Sequence, residues 1–404
     1  MSDSLVSHIL QQQPAVIELQ TALTAFAALG PENGGQGEQA KALYIGDWLR
    51  RLGGDLCQLD SPDERVASGL RPNLIYRRPG RSKRCLWLFA HTDVVPPGNP
   101  DAWEQDPWQV RQQDDFLYGR GVEDNQQAIC SMLILAAALA ELGIEPETGL
   151  GLVFMADEET GSRYGLRWLL NLPTTPFDAK DLYIVPDGGS PDGSLMEVAE
   201  KAQLWLRFVV TGEQCHASMP EQGRNSLVAA SQLILDLNQL NSIFSRENPL
   251  FEPPRSTFVP SKHERNVDAI NILPGRDEFY LDCRLLPGLS PEAVLAKCSQ
   301  ITNRVAADYG VAIEVEIAHR QNATATSPES PVALALAKAI EAIYHIRPRP
   351  CGIGGATVAA FLREAGFDAV VWSRIQNTCH QPNERSSISA TLGDAAVFAS
   401  ILAQ

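Results

Sequence analysis

Histidine and carboxylate side chains stand directly after two apolar runs of the chain. The first run ends at His91 and Asp93, and the second ends just before Glu158 and Glu159. Imidazole and carboxylate groups are suitable ligands for a hydrated divalent metal, and one further carboxylate can act as base on water bound to that metal. These residues therefore predict a metal-dependent hydrolase.

Spacing suggests different tasks for neighbouring residues. Asp93 lies two positions after His91, where its carboxylate could hydrogen-bond the second ring nitrogen and fix the tautomer. Glu158 and Glu159 are adjacent, so their side chains diverge and one can bind a metal while the other stays free. A two-metal hydrolase needs such a free base beside its ligands.

Three further candidate ligands lie elsewhere in the chain. Asp124 stands at the mouth of a predicted helix, Asp187 ends an apolar strand before two glycines, and His380 lies in the segment CHQPNE. Each alone is common in a helix cap or a turn. Together with the residues above they all follow strands or open helices, as one shared pocket would require.

The first half of the chain alternates short apolar strands with amphipathic helices. Helices are predicted over 4–29, 39–52 and 125–142, with strands at 85–91, 149–156 and 182–185 among them. This order is typical of an α/β fold with a mostly parallel sheet covered on both faces. Ligands in such sheets bind beyond the carboxyl ends of the strands, where the motif residues stand.

The pattern changes near residue 200. Strands predicted at 203–211, 267–273, 278–285 and 311–317, with helices at 225–240 and 291–309, follow the order β-α-β-β-α-β. This order predicts a small α+β domain inserted into the larger one. We therefore divide the chain into 1–199 and 319–404, which form the catalytic domain, and 200–318, which form the insertion.

Composition excludes several classes of function. A net charge of −16 over 404 residues argues against a nucleic-acid or an anionic membrane surface. The N-terminus lacks the pattern of a secretory signal, and the apolar stretch 128–140 is too short to cross a bilayer. The eight cysteines are widely separated without CxxC pairs, so we expect reduced thiols and a cytoplasmic location.

Seven phrases resemble one family in their order along the chain. They are HTDVVPxG, WxxDPW, YGRGxxD, DEExGS, the strand-ending Asp187, GxxCHASxPxxGxNS and HxPNE. This set is similar to that of the M20 metallopeptidases, which include succinyl-diaminopimelate desuccinylase, acetylornithine deacetylase, glutamate carboxypeptidases and aminoacylases. The resemblance runs from about Ile17 to the C-terminus. It implies a three-layer zinc-peptidase-like catalytic domain with an inserted lid and dimerisation domain.

The resemblance also implies a ligand set for two Zn²⁺ ions, with Co²⁺ or Mn²⁺ as possible substitutes. Asp124 would bridge the ions. His91 and Asp187 would complete one coordination shell, and Glu159 and His380 would complete the other. The peptide bond after the bridging aspartate is commonly cis in this family.

Catalytic roles follow from the same resemblance. Glu158 would be the general base that takes the proton of the water and passes it to the leaving amine, and Asp93 would orient His91. His216 matches an oxyanion-stabilising histidine that is often delivered by the partner of a homodimer formed through the lid. A simple turn histidine is the alternative for His216.

Substrate contacts are implied less sharply. Asn271 and Arg284 match positions that contact a substrate carboxylate, for which the planar guanidinium of arginine is suited; a salt bridge within the lid is the alternative for Arg284. Gly354, Gly355 and Thr357 resemble a glycine-rich substrate loop at a helix start, or else form a tight turn.

Two departures from the family pattern leave the substrate open. Residues 125–127 are NQQ where many relatives have MKG, and the glycine-rich loop is GGAT. A dipeptidase or carboxypeptidase and a desuccinylase or deacetylase both fit, with a small peptide or N-acyl amino acid as substrate. The other candidates are a catalytically inactive binding protein and a cysteine hydrolase using Cys215–His216 or Cys379–His380.

Overall fold

The structure is a computed structural model that describes residues 2–403, and these residues divide into two compact units. The first unit contains residues 2–198, 326–351 and 357–403. The second contains Ala199–Ala325 and Gly352–Ala356. The chain thus returns to the first unit after Ala325, compared with residue 318 in the division made from the sequence.

Eleven helices and eighteen strands are assigned in the described part of the chain. The helices are α1 Ser2–Ile9, α2 Gln13–Thr24, α3 Gln39–Arg50, α4 Gln126–Glu141, α5 Leu166–Leu170, α6 Ser226–Asn238, α7 Leu240–Ile243, α8 Pro291–Tyr309, α9 Pro331–Tyr344, α10 Ala359–Glu364 and α11 Ile388–Leu402. The strands are β1 Asp55–Pro62, β2 Leu70–Arg78, β3 Cys85–His91, β4 Arg111–Gln113, β5 Phe116–Tyr118, β6 Gly149–Met155, β7 Leu182–Gly189, β8 Leu195–Glu200, β9 Ala202–Thr211, β10 Cys215–His216, β11 Thr257–His263, β12 Ile272–Leu273, β13 Arg276–Leu285, β14 Ala312–Gln321, β15 Thr324–Ala325, β16 Arg349–Ile353, β17 Ala369–Ser373 and β18 Arg385–Ser387.

A mixed sheet forms the centre of the first unit, with strand order β1-β2-β6-β3-β7-β17-β8. The four central strands, β6, β3, β7 and β17, are parallel. Antiparallel pairs extend the sheet on both sides, between β1, β2 and β6 and between β17 and β8. The prediction of a mostly parallel sheet thus describes the centre, where helical crossovers connect the strands.

Helices cover both faces of this centre. Strand β3 is buried along its whole length, and Trp87 and Phe89 on one face pack with Val153, Leu166 and Phe361. Helix α4 contributes no residue to that cluster and packs against β3 and β6 from the other side. The predicted α/β fold with helices on both faces of the sheet is therefore confirmed.

Polar caps fix where several helices begin. Ser290, Ser330 and Ser387 precede α8, α9 and α11, and each side chain accepts a hydrogen bond from the N–H three residues later. Such a cap stabilises a helix by about 1 kcal/mol. The cap at Ser387 also sets where the segment that carries His380 ends and the buried helix α11 starts.

The second unit is an antiparallel four-stranded sheet, β11-β13-β9-β14, with α6 and α8 in its core. Alternate residues of β9, such as Leu204, Leu206 and Phe208, are fully buried against those helices. The α+β character predicted for the insertion is confirmed.

One predicted strand of the insertion is wrong. The sequence indicated a strand over 267–273, but only Ile272–Leu273 is extended there. The strand that completes the four-stranded sheet lies earlier in the chain and is β11. Pro260 lies inside β11, which made this segment resemble a loop. Proline is tolerated because β11 is an edge strand with an irregular register at Pro260.

The N-terminal helix also differs from its prediction. The single helix expected over 4–29 is interrupted, because α1 ends at Ile9 and α2 starts at Gln13. Pro14 occupies the first turn of α2, where a missing N–H costs nothing. An apolar periodicity that continues across the break concealed it.

All eight cysteines are free, and five of them are buried, as expected for reduced core thiols. Within residues 2–403, every helix is too short or too polar to cross a membrane.

Candidate metal centre

Strand ends bring the predicted ligands to one edge of the central sheet. His91 is the last residue of β3, and its parallel neighbour β6 ends at Met155, four residues before Glu159. Asp187 lies near the end of β7, which pairs with β3 on its other side. Parallel strands share a direction, so their carboxyl ends deliver these residues together.

Five side chains form a cluster that we call the metal-candidate cluster. Its members are His91, Asp124, Glu159, Asp187 and His380. They form two groups of three, with Asp124 in both, and the possible ligand atoms of each group lie within 4.8 Å of one another. The geometry thus brings together every residue that the sequence suggested as a ligand.

Asp124 stands between the two histidines. Its Oδ1 is 2.8 Å from Nε2 of His91, and its Oδ2 is 3.0 Å from Nε2 of His380. His91 Nε2 is also 3.8 Å from Asp187 Oδ1, and His380 Nε2 is 3.1 Å from Glu159 Oε2. One carboxylate therefore presents a separate oxygen to each half of the cluster.

Asp93 joins two of the loops behind the cluster. Its Oδ1 lies 3.3 Å from Nδ1 of His91, which leaves Nε2 facing Asp124. Its two oxygens also accept hydrogen bonds from the N–H groups of Glu158 and Glu159, both at 3.0 Å. Burial alone would raise the pKa of Asp93, but these contacts lower it below its usual value.

Like charges raise the pKa of several carboxyl groups here. Burial and the neighbouring Asp124 raise the pKa of Glu159 to about 7. Burial, with Asp187, Glu159 and Asp124 close by, raises the pKa of Glu158 well above its ordinary value, although His91 opposes the shift. Carboxylates held this close repel each other, and a divalent cation would relieve that repulsion.

The histidines respond in the opposite sense. Asp124 and Glu159 raise the pKa of His380 to about 10. Burial disfavours the charged form of His91, but its carboxylate neighbours Asp124 and Asp187 raise its pKa well above the ordinary value. The same carboxylates that attract protons to these rings would attract a metal ion in their place.

The residue after Asp124 contacts the site in a way that the sequence did not indicate. The Asp124–Asn125 peptide bond is cis, as the family resemblance implied. The side-chain amide of Asn125 donates to Oδ1 of Asp187 at 2.6 Å. Gln126 and Gln127, which also depart from the family pattern, are buried and bonded to Thr24 and to residues of the core.

Two glutamates beside the cluster were given no role in the sequence analysis. Glu123 precedes Asp124, and Glu384 ends the HxPNE phrase. Both are buried and accept several hydrogen bonds from the loops around the cluster. Only their place in the motifs pointed to them, because no local pattern identifies acceptors for donors 250 residues away.

The remaining predicted residues belong mainly to the second unit. His216 is exposed in β10, with Nδ1 2.7 Å from Ser218 Oγ, and β10 pairs with β12 directly after Asn271. Arg284 donates to both oxygens of Asp282 at 2.7 and 3.0 Å, which is the salt bridge left open by the sequence.

The glycine-rich loop is divided between the units. Arg284 Nη1 donates to the carbonyl oxygen of Gly354 at 3.0 Å within the second unit. A methyl group at Gly354 would meet no atom within 4 Å, and at Gly355 it would meet only Ile353 at ordinary distance, so neither glycine is required by close packing. Thr357 lies in the first unit, where its hydroxyl accepts from the N–H of Ala359 at the start of α10.

Comparison with known proteins agrees with these observations. Residues 87–404 match the model of "Peptidase family M20/M25/M40". An uncharacterised metallohydrolase of Methanococcus maripaludis is 36% identical, with 96% of this chain and 98% of the relative aligned. A succinyl-diaminopimelate desuccinylase of Cereibacter sphaeroides is 27% identical over 82% of this chain and 86% of the relative.

A solved structure supports the same fold. Human carnosine dipeptidase 1 superposes with a TM-score of 0.78 at 15% identity, covering 100% of this chain and 98% of its own. At that identity the likeness is evidence for the fold alone. The family match and the 36% identical relative go further: this chain belongs to peptidase family M20/M25/M40, whose members are metal-dependent hydrolases of amide and peptide bonds.

Proposed function

We propose that this protein is a dinuclear zinc hydrolase that cleaves an amide bond in a small peptide or an N-acyl amino acid. One observation carries the proposal: Asp124 presents Oδ1 to the half of the cluster with His91 and Oδ2 to the half with His380. A carboxylate that faces two ligand groups in this way suits a bridge between two ions.

The donor set fits the ions. Each half combines one imidazole nitrogen with carboxylate oxygens, a set that accepts Zn²⁺ and also Co²⁺ or Mn²⁺. His91 and Asp187 would hold one ion, Glu159 and His380 the other, and Asp124 both. When bound, such ions supply polarisation of the amide carbonyl and acidification of a water molecule.

Glu158 is the group that moves the proton in this proposal. Burial and the neighbouring Asp187, Glu159 and Asp124 raise the pKa of Glu158, which makes its carboxylate a stronger base towards water. It then passes that proton to the nitrogen of the leaving amine. Asp93 holds the ring of His91 and, through two backbone N–H groups, the loop that carries Glu158.

The second unit would contribute the substrate contacts and the dimer. His216 would donate a hydrogen bond to the carbonyl oxygen as negative charge develops there, in the site of the partner of a homodimer. Exposed apolar residues on α6, Leu227, Val228 and Leu235, support such an interface.

Substrate recognition is assigned to five residues in this proposal. Asn271 and Arg284 would bind a substrate carboxylate, and Gly354, Gly355 and Thr357 would line its path. The hydrogen bond from Arg284 to the carbonyl of Gly354 supports a common task for the two segments. Named relatives include a desuccinylase and a dipeptidase, so both amide types belong in the test.

The two alternative functions have less support. A non-catalytic binding protein would be free to lose a ligand or the base, whereas this chain keeps all five candidate ligands in one cluster and Glu158 near its carboxylates. For a cysteine hydrolase, Cys379 is poorly suited because burial and nearby carboxylates raise the pKa of its thiol to about 12. The free cysteines favour a reducing compartment such as the cytoplasm.

Amine release from a panel of N-acetyl amino acids, N-succinyl amino acids and dipeptides tests the function. Zinc-loaded protein should turn over one class, and Glu158→Ala should keep its ions while kcat falls by about 10²- to 10⁴-fold. Glu145→Ala, which removes an exposed carboxylate of the same unit, is the matched control. Full activity in Glu158→Ala would contradict the assigned base.

Mixing two inactive variants tests the dimer. Subunits with His216→Ala and Glu158→Ala should recover activity in heterodimers, because one site of each heterodimer keeps both residues. Heterodimers that form without any recovery would contradict the action of His216 across the interface.

A further inference from the structure

Two loops deliver the residues at the centre of the metal-candidate cluster. The loop 119–124 carries Asp124, and the segment 376–384 carries His380. Each also contains one buried glutamate, Glu123 or Glu384, that has no part in the proposed proton transfer. Their hydrogen bonds explain how the two loops are held.

Glu384 accepts four hydrogen bonds from the Asp124 loop. Its Oε2 is 2.5 Å from Nη1 of Arg120 and 3.0 Å from the N–H of Gly121. Its Oε1 accepts from the N–H groups of Glu123 and Asp124 at 2.9 and 3.0 Å. The side chain is fully buried, so these four donors replace water completely.

Glu123 makes the opposite connection. Its carboxylate accepts from the N–H groups of Gln376 and Thr378 at 3.2 and 3.0 Å, and from Oγ1 of Thr378 at 2.8 Å. Thr378 Oγ1 in turn accepts from the N–H of Arg385, just after Glu384. The segment around His380 is therefore held on both sides of the histidine.

The two contacts are reciprocal. Each glutamate belongs to one loop and binds mainly backbone N–H groups of the other, so neither loop can move without breaking charge-assisted hydrogen bonds. Gly119 and Glu384 add a backbone hydrogen bond of 3.1 Å, and β5 pairs with β18 beyond it. The distance between Asp124 Oδ2 and His380 Nε2 thus depends on both carboxylates.

We infer that Glu123 and Glu384 are positioning residues that together set the geometry of the shared ligand and of the ion on the His380 side. The inference rests on the proposed function, since it takes Asp124 and His380 as ligands. It also predicts an asymmetry. Loss of Glu123 releases only the segment before His380, whereas loss of Glu384 releases the N–H groups that orient Asp124, which serves both ions.

Hydrogen exchange of the metal-free protein tests these reciprocal hydrogen bonds directly. Glu123→Gln should speed exchange at Gln376 or Thr378, and Glu384→Gln should speed it at Gly121 or at Glu123 and Asp124, by at least about tenfold. A glutamine side chain keeps one acceptor oxygen, but it turns an NH2 donor towards the N–H groups that the other oxygen accepted from. Unchanged exchange in the opposite loop would overturn the inference.

Asp181→Asn is the matched control. Asp181 is a buried carboxylate that also accepts from a backbone N–H, that of Cys85, and from Trp87 Nε1, but at the start of β3 rather than its end. Its replacement should leave exchange in both loops as in the wild type. If Asp181→Asn speeds exchange in the two loops equally, general destabilisation explains the effect and the inference about Glu123 and Glu384 is rejected.

Titration with Co²⁺, followed by its visible absorption, separates the two glutamates. Glu123→Gln should bind one ion as the wild type does and the second about 10- to 100-fold more weakly, whereas Glu384→Gln should weaken both. Equal losses in the two variants would overturn the asymmetry. Should a variant not fold, Thr378→Val removes a single donor to Glu123 and should weaken the second ion alone.

Failure of the proposed function and failure of the inference about Glu123 and Glu384 give different results. A wild-type protein that binds no Co²⁺ would reject the proposed function, while the exchange pattern of the metal-free protein would still decide whether the reciprocal contacts exist. Normal ion binding in both glutamine variants, with the exchange changed as expected, would reject the positioning role and leave the proposed function standing.

Discussion

Two groups of carboxylates in the first unit, one half-buried and one buried, differ in the cationic side chains that pair with them. In the metal-candidate cluster, the ion-pair partners of the carboxylates are His91 and His380. In the other group, which we call the arginine cluster, Glu38, Asp63 and Asp157 surround the buried guanidinium of Arg71. Histidine loses its charge on deprotonation, whereas arginine keeps it.

This difference separates a binding site from a structural one. Arg71 donates to Glu38 through Nε at 2.7 Å and through Nη2, and it reaches Asp63 at 3.2 Å, so its positive charge is permanently in place. We therefore do not expect the arginine cluster to bind a metal ion. The metal-candidate cluster keeps its negative charge unless protons or ions arrive from solution.

Saturation with divalent ions should show the largest effect. With two ions bound as proposed above, a hundredfold excess of Zn²⁺ over its dissociation constant should stabilise the folded protein by about 2.7 kcal/mol for each ion, so by about 5 kcal/mol in total. Urea unfolding with and without a chelator measures this. Asp187→Asn and His380→Asn should each retain about half of the gain; a full gain in both would show that the ions bind elsewhere.

Replacement of Arg71 should destabilise the arginine cluster. Arg71→Met leaves Glu38 and Asp157 buried without a cation, while Asp63 keeps Arg65, and this should cost about 3–5 kcal/mol of unfolding free energy. Because the arginine cluster is not a metal site, added Zn²⁺ should stabilise this variant no more than the wild type. Recovery by Zn²⁺ beyond the wild-type gain would show that the two groups are interchangeable.

Adjacent residues belong to different clusters, which limits what the sequence could predict. Asp157 belongs to the arginine cluster, where its N–H donates to Glu38, whereas Glu159 belongs to the metal-candidate cluster and Glu158 lies near the carboxylates of that cluster. Asp157 has a positive φ of 63°, so the chain turns sharply between them. The DEE phrase indicated a site but could not assign its first carboxylate.

Local patterns predicted the strands that deliver the site. Strands β3, β6 and β7 are continuous apolar runs, and the polar residues that follow them reach the carboxyl edge of a parallel sheet by geometry alone. Contacts between distant segments were not predictable. Glu384 binds N–H groups some 260 residues earlier, and backbone donors have no sequence signature.

A buried lysine lies within electrostatic reach of both groups. Lys41 is fully buried without a hydrogen-bond partner, and burial lowers its pKa to about 8, although Asp93 and Glu38 oppose the shift. Between pH 8 and the unfolded value of 10.5, the folded protein has lost a proton that the unfolded chain keeps. Stability should therefore rise with pH across that window and stay level below it.

Replacement of this lysine should stabilise the protein. Lys41→Met removes the cost of burying the charge, up to about 3 kcal/mol at pH 7, and should abolish the alkaline rise. Urea unfolding at pH 7 and pH 10 measures both effects, with the exposed Lys83→Met as control. Destabilisation at pH 7 would mean that the charged Lys41 neutralises one of the two groups of carboxylates and acts as a structural cation, as Arg71 does.

The smallest effect is expected at the rim of the arginine cluster. Arg65 donates to both oxygens of Asp63 at 2.8 Å, but its side chain is 43% exposed, so solvent screens the pair. Arg65→Met should therefore cost no more than about 1 kcal/mol of unfolding free energy at pH 7. Arg71 still holds Asp63 in that variant, which is why the loss stays small.

Acid pH should reduce the effect of Arg65 on stability. Its hydrogen bonds lower the pKa of Asp63 to about 2, against burial, so the stabilisation is present above pH 3.8 and is lost as the pH falls towards 2. In Arg65→Met the pKa of Asp63 should lie closer to 3.8, so the variant should lose less stability across this range and approach the wild type near pH 2, which acid titration of tryptophan fluorescence would detect. If Arg65→Met instead cost as much stability at pH 7 as Arg71→Met, the exposed guanidinium of Arg65 would be the main cation of the arginine cluster. A buried, permanently charged arginine would then no longer be what distinguishes this cluster from the metal-candidate cluster.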